Sequence, residues 1–383
     1  MVEESTPSDK PKEFKVIGGL GTPLNTLNPL DSLKTLGCLG ETFKVVDSIS
    51  KGLRFYEPVS TTVCINMLTI GLKKQPHVHD NSNLLIVPKG RGKTTLLHHI
   101  LAESNPKYII SLPDKLFETD IVEFPKDHFD NKVWVLDDLI TTFQGTSPKQ
   151  REQLIGFHNS FLSKGVYERK RGDRMVEGRI VCTYGIAKEN YSKYSKDMFI
   201  STFTDRLPPL TYGFSPEEKD TILREDNYLS KLPKVRLPFK RTLTEVIIPD
   251  TLQEEIIAAA KRLEAASGFT DIRAKHYVQN FLKSNANLNH RTNVQEEDFW
   301  LWKWVEPLHY SQKPDTCETD IVNYILSKAT INEPCIGREI KNVFGDKYSE
   351  QHISTTLSRL RENSRVSAKK ISLTRGYDYE YRI

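Results

Sequence analysis

The stretch Val87-Pro-Lys-Gly-Arg-Gly-Lys-Thr94 constrains this chain more than any other. It follows Leu84-Leu85-Ile86-Val87, an unbroken apolar run stopped by Pro88 and Gly90, which reads as a buried parallel strand ending in a loop. Thr94 to Glu103 then reads as a helix. A strand, a glycine loop and a helix start in that order let backbone N–H groups wrap a diphosphate. Gly90 and Gly92 let the loop approach phosphates with no Cβ in the way, Lys93 brings a mobile positive charge, and Thr94 offers a hydroxyl to Mg²⁺. Pro88, Lys89, Gly90, Arg91, Gly92, Lys93, Thr94 and Thr95 are the candidate nucleotide-binding residues, with ATP and Mg²⁺ the expected cofactors. Val87 stands where the usual G-x-x-x-x-G-K-[ST] pattern has its first glycine.

The other half of such a site needs an apolar strand ending in an acid, and Val133-Trp-Val-Leu-Asp137-Asp138 has that form. Asp137 is the expected metal carboxylate beside Thr94, and Asp138 the expected general base for the attacking water. A turn or helix cap is the plainer reading of an Asp-Asp pair after a strand. Strands alternating with helices continue to about Arg206, which predicts an α/β fold with a parallel sheet and helices on both faces.

Composition limits the remaining choices. The 383 residues are 38% hydrophobic, enough for two or three ordinary cores, and the apolar run Val63–Leu72 is about half a bilayer-spanning helix. No membrane association and no leader are expected. Five scattered cysteines without a C-x-x-C pair predict neither a disulfide framework nor a zinc module, and fit a reducing cytoplasm. His77-x-His79 and His98-His99 show no further ligand at metal spacing and read as ordinary connector and helix residues.

The spacing predicts a polar tail over 1–13, an amino-terminal extension over 14–55, an α/β core over 56–248, helices over 249–305, a linker over 306–317 and a terminal module over 318–383. In that module, helices Thr319–Lys328, Ile336–Val343 and Ser349–Asn363 and strands Val366–Leu373 and Tyr377–Ile383 make a winged helix-turn-helix. Net charge is only +4, but Lys164–Arg174 holds five basic residues against two acids and Arg359–Arg375 six against one. The first cluster reads as a basic hairpin carrying Arg169, Lys170, Arg171 and Arg174, able to hold phosphates of a single strand or simply to stay solvated. In the module, Gln351, His352, Thr355 and Arg359 on the third helix, with Lys369, Lys370 and Arg375 on the wing, are candidate duplex contacts. Protein docking is the other use of such a module.

In order and spacing, residues Tyr56 to Trp302 resemble the AAA+ core of the minichromosome maintenance (MCM) helicases. Pro58–Leu72 and His77–Asn83 look like the family's helix and connector before the phosphate loop. Gln150–Ser163 and Gly165–Glu177 look like the helix and presensor hairpin, and Val294–Phe299 like part of the lid. The resemblance implies that Thr183, at the polar end of Arg179–Tyr184, is a γ-phosphate sensor beside Asp137. A buried threonine satisfied by its own strand is the alternative. Arg206 would be an arginine finger reaching a neighbouring subunit, or else an ion-pair partner of Asp205, and Arg273 the sensor arginine of a helical lid. Asp138 replaces the family's glutamate, and only residues 1–55 precede the core, where the family has a large DNA-binding domain. Taken together, the resemblance implies a cytoplasmic, nucleoid-associated DNA motor. It would be a hexameric ring helicase in replication of a replicon or mobile element, with an ATP-switched initiator, loader or regulator as the alternative.

Overall fold

A computed structural model describes residues 39–53, 55–73, 78–90, 92–113, 115–144, 146–168, 175–191, 194, 198, 203–212, 218, 221, 232–240, 242–267, 269–309, 317–330, 333–346, 348–362, 366–372 and 377–382. The chain divides between Asn323 and Tyr324 into two compact units, each described by itself.

In the larger unit, helix α1 (Gly40–Ser50) precedes α2 (Glu57–Met67), which tightens into a 3₁₀ turn at Leu68–Gly71. Strand β1 (Asn83–Val87), the loop and a π-helix (Thr95–Ala102) follow, then β2 (Ile109–Ser111), α3 (Glu118–Ile121) and β3 (Asp130–Leu136). Next come α4 (Leu139–Gln144), α5 (Pro148–Lys164), the strands β4 (Val166–Glu168) and β5 (Met175–Glu177), then β6 (Arg179–Ala187) and β7 (Pro209–Thr211). Helices α6 (Gln253–Ser267), α7 (Asp271–Leu288) and α8 (Glu296–Val305) close the unit.

The main sheet is all parallel, in the order β2-β3-β6-β1-β7. Alternate residues of its strands face opposite ways. Leu84, Ile86, Trp134, Leu136, Tyr184 and Ile186 join one apolar core with α4 and α5. Leu85, Val87, Val133, Val135 and Val181 join the other, with α1, α2 and the π-helix. Helices α6 to α8 contribute Ile256, Leu263, Val278, Phe281 and Trp302 to that second core, so the helices expected over 249–305 share one compact unit with the sheet.

Two polar devices fix the geometry. A capping box starts α5: Gln150 N–H donates to Ser147 Oγ at 3.3 Å and Ser147 N–H to Gln150 Oε1 at 2.8 Å, Pro148 takes the first turn, and Gly165 at φ 72° ends it. A buried amide network ties α7 to β1 and α2. Tyr277 Oη donates to Asn83 Oδ1 at 2.8 Å, Asn66 Nδ2 to Asn83 Oδ1 at 2.8 Å, and Asn81 Nδ2 to the Tyr277 carbonyl at 2.8 Å.

The smaller unit takes the part of α9 (Cys317–Thr330) from Tyr324 onward, then β8 (Cys335–Ile336), α10 (Gly337–Phe344), α11 (Glu350–Glu362), β9 (Ser367–Ser372) and β10 (Tyr377–Arg382). Its three strands are antiparallel in the order β8-β10-β9. Three helices and the β9–β10 hairpin match the expected elements, while β8 is too short to leave a periodic trace. Ile353, Leu357 and Leu360, spaced by three or four residues, are buried along the inner face of α11. No described helix is long and apolar enough to cross a membrane. Cys64, Cys182 and Cys335 are free thiols, and all three are buried, as is Cys317.

Candidate functional site

The loop after β1 turns on two glycines with left-handed backbone, Gly90 at φ 74° and Gly92 at φ 82°. A Cβ on Gly92 would also come within 2.8 Å of Leu53 Cδ2, so this glycine gives both the turn and close packing against the segment before α2. Gly92 O accepts from Leu96 N–H at 2.9 Å, which starts the helix at the end of the loop. Pro88, Lys89, Gly90, Lys93, Thr94 and Thr95 all line this turn, with Lys89, Gly90 and Thr94 exposed. Arg91 lies outside the described residues.

Lys93 Nζ donates to the backbone carbonyl of Asp137. The ammonium therefore leaves the loop of β1, crosses β6 and reaches the end of β3. Position 185 of β6, paired with Leu85 of β1 and next to the Tyr184–Leu136 pair, lies under that crossing. It is a glycine, and a Cβ there would collide with Lys93 Cδ and with Asp137 O. Gly185 was missed from sequence because the register of β6 against two neighbours decides which of its residues lies under the lysine. The side-chain alternation and the end of β3 could have located it.

Asp137 and Asp138 stand half-buried at the carboxyl edge of β3. Asp138 Oδ1 accepts from Ile140 N–H at 3.2 Å and its carbonyl accepts from Thr141 Oγ1 at 2.8 Å, so this carboxylate caps α4.

Thr183 is corrected in place. It pairs with Asn83 at the beginning of β1 and with Val135, and β6 runs on to Ala187, which pairs with Val87. Thr183 is fully buried inside the sheet, and its Oγ1 makes no hydrogen bond among the described residues. The expectation failed because the strand is nine residues long, beyond the Arg179–Tyr184 run read from sequence. The residue that follows β6 at the edge of the loop is the exposed Lys188.

The two candidate arginines come together at the other edge. Leu84 N–H donates to Pro208 O at 3.0 Å and Leu84 pairs with Pro209, so Arg206 precedes the start of β7 at the amino-terminal edge of the sheet. At about 3.3 Å per residue that edge is roughly 13 Å from the end of β1, more than an arginine side chain spans. Arg206 Nε donates to Asn159 O at 2.9 Å and Ser163 Oγ at 2.7 Å on α5. Asp205 pairs with Arg273 and accepts from Thr270 N–H at 3.1 Å, which joins the start of α7 to this corner. Burial lowers the Arg206 pKa, neighbouring Arg273 lowers it further, and Asp205 opposes both.

The β4–β5 hairpin forms between α5 and β6 with Tyr167 opposite Val176. Arg169, Lys170, Arg171 and Arg174 lie outside the described residues. In the smaller unit Gln351, His352 and Thr355 are exposed on α11, whose first turn is capped by Ser349 Oγ accepting from His352 N–H at 3.3 Å. Thr355 Oγ1 donates back to Gln351 O at 2.9 Å. Lys369 and Lys370 are exposed on β9, whereas the side chain of Arg359 and all of Arg375 lie outside the described residues.

No protein-family model matches this chain, and no curated protein matches it. The site's residues therefore stand on their geometry.

Proposed function

We propose that this protein is an ATP hydrolase of the AAA+ type that moves DNA as a multi-subunit ring, in the manner of the MCM helicases it resembles. The observation that carries the reading is the meeting of Lys93 and Asp137 over Gly185. A lysine from a glycine loop meets the backbone carbonyl of Asp137 at the end of a second strand, and the position between them has no side chain. ATP·Mg²⁺ fits these residues: Gly90 and Gly92 leave the loop open, Lys93 is drawn to the β- and γ-phosphates, and Thr94 and Asp137 offer oxygens to the metal. Bound Mg²⁺ would neutralise charge developing on the transferred phosphoryl group.

Other features agree with the same reading. Strand β6 is interposed between β1 and β3, so the glycine loop and Asp137 stand at the carboxyl ends of strands on either side of it. Arg206 and Arg273 share the edge far from their own phosphate loop, so an arginine finger in this chain has to serve a neighbour's nucleotide. The paired strands β4 and β5 flank Arg169, Lys170, Arg171 and Arg174, the basic residues that would hold a single strand within the ring. The helices and antiparallel strands of the smaller unit are compatible with a winged helix, in which the exposed Lys369 and Lys370 would meet duplex phosphates.

The test is ATP hydrolysis by the full chain with and without single-stranded DNA, followed by strand separation on a forked duplex. Lys93→Ala should abolish hydrolysis, and activity per subunit should rise with protein concentration. Full wild-type activity in a dilute monomeric sample would overturn the ring.

A second reading is favoured by one observation. Asp138 is engaged as the cap of α4, which ties down the carboxylate expected to act as base. An ATP-switched initiator, loader or regulator would hydrolyse slowly and bind duplex without unwinding it, and the forked-duplex assay separates the two.

A further inference from the structure

The π-helix after the glycine loop brings His98 to Glu103, a pair that an α-helix keeps apart, beside the His99–Glu103 pair that either winding would join. Its hydrogen bonds close over five residues, and Glu103 N–H donates to His98 O at 3.0 Å. In an α-helix residues i and i+5 lie about 140° apart around the axis. Here Glu103 sits under both histidines. Its Oε1 is 2.9 Å from His99 Nδ1 and 3.7 Å from His98 Nε2. One ligand atom from each of the three residues lies within 4.8 Å of the others.

Two ligands about 2.1 Å from a tetrahedral zinc are about 3.4 Å apart, so both carboxylate–imidazole separations lie near the value a shared ion needs. The other ring nitrogen of His98 is also engaged. Nδ1 is 3.0 Å from Ser111 Oγ on β2, and with Nδ1–H donating to that hydroxyl the Nε2 lone pair is left facing Glu103. That is the outer-shell hydrogen bond by which proteins orient a ligating imidazole.

We propose that His98, His99 and Glu103 bind one divalent transition cation, Zn²⁺ by the chemistry of two imidazoles and a carboxylate, with water in the remaining position. The ion ties the end of the helix that begins at Lys93 to the edge strand β2 through Ser111. This site is separate from the residues offered to Mg²⁺, which sit at the start of that helix and on β3. A surface ion pair between His99 and Glu103 alone is the competing account, and it makes no use of His98.

The experiment is titration of the metal-free full chain with Co²⁺, read by its visible absorption, and with Zn²⁺, read by calorimetry. Wild type should take up one ion per chain and melt at higher temperature with Zn²⁺. His98→Ala, His99→Ala and Glu103→Gln should each weaken binding at least tenfold, and Ser111→Ala should weaken it less. Asp137→Asn should leave Zn²⁺ affinity at this site unchanged. The three ligand side chains reach solvent, so their replacement leaves the cores intact. Failure of wild type to bind Co²⁺ or Zn²⁺ at one per chain, or wild-type affinity in His98→Ala, would overturn the site.

Discussion

A methyl group at position 185 would meet the Lys93 side chain and the Asp137 carbonyl, so Gly185→Ala tests the core of the site with a single carbon. If the proposed ATP site is right, pushing the ammonium from its place would remove a charged contact to phosphate of about 1.5–3 kcal/mol, or roughly 10- to 100-fold in ATP affinity. The expected result is loss of the thermal shift on adding ATP·Mg²⁺, together with a lower melting temperature of the ligand-free protein, because the Asp137 carbonyl is backbone and has to move as well. Two buried histidines set a second expectation. Burial lowers the His158 pKa to about 4 against a hydrogen bond with Leu154 O that raises it, and burial lowers His309 to about 3. The unfolded chain protonates both near pH 6.5, so it binds more protons than the folded state below that pH, and stability falls as pH drops. Each histidine should cost about 2 kcal/mol between pH 7 and 5. Urea unfolding at the two pH values should show a smaller loss in His158→Gln than in wild type, and an equal loss would exclude the histidine.

Among the elements, α7 depends on Asp205. Its carboxylate takes the Thr270 N–H and the Arg273 guanidinium, and its charge offsets the approach of Arg206 and Arg273. Asp205→Ala should destabilise the larger unit by about 2 kcal/mol and speed hydrogen exchange at the Thr270 amide, measured by urea unfolding and exchange mass spectrometry. The elements themselves were largely legible. Leu84–Val87 is a strand because four apolar residues end at Pro88 and Gly90, and α5 announces itself through Ser147, Pro148 and Gln150. Register was not legible, since nothing near Thr183 in sequence says that β6 continues to Ala187 or that Gly185 lies beneath Lys93. The winding of the helix after the loop was equally hidden. At α-helical spacing His98 and Glu103 never share a face, and only the longer turn unites them.

For the whole molecule, the glycine loop after β1 and the arginine corner lie at opposite edges of one sheet, and the proposed ring makes a sharp demand of that separation. Lys93→Ala and Arg206→Ala should each be inactive alone, yet mixing them should restore hydrolysis. At equal amounts about a quarter of interfaces would join an intact loop to an intact arginine. Continued inactivity of the mixture, with assembly shown by sedimentation, would mean that Arg206 does not serve a neighbour. The contact of Gly92 with Leu53 has a practical consequence for anyone cutting this gene into pieces. Tyr212 Oη donates to the Phe55 carbonyl, and Phe43, Val46 and Ile49 of α1 belong to the same core as the π-helix. An expression fragment begun at Tyr56 would strip one wall from the loop and leave a greasy scar where α1 had lain. The smallest piece of this protein worth purifying starts at or before Leu39.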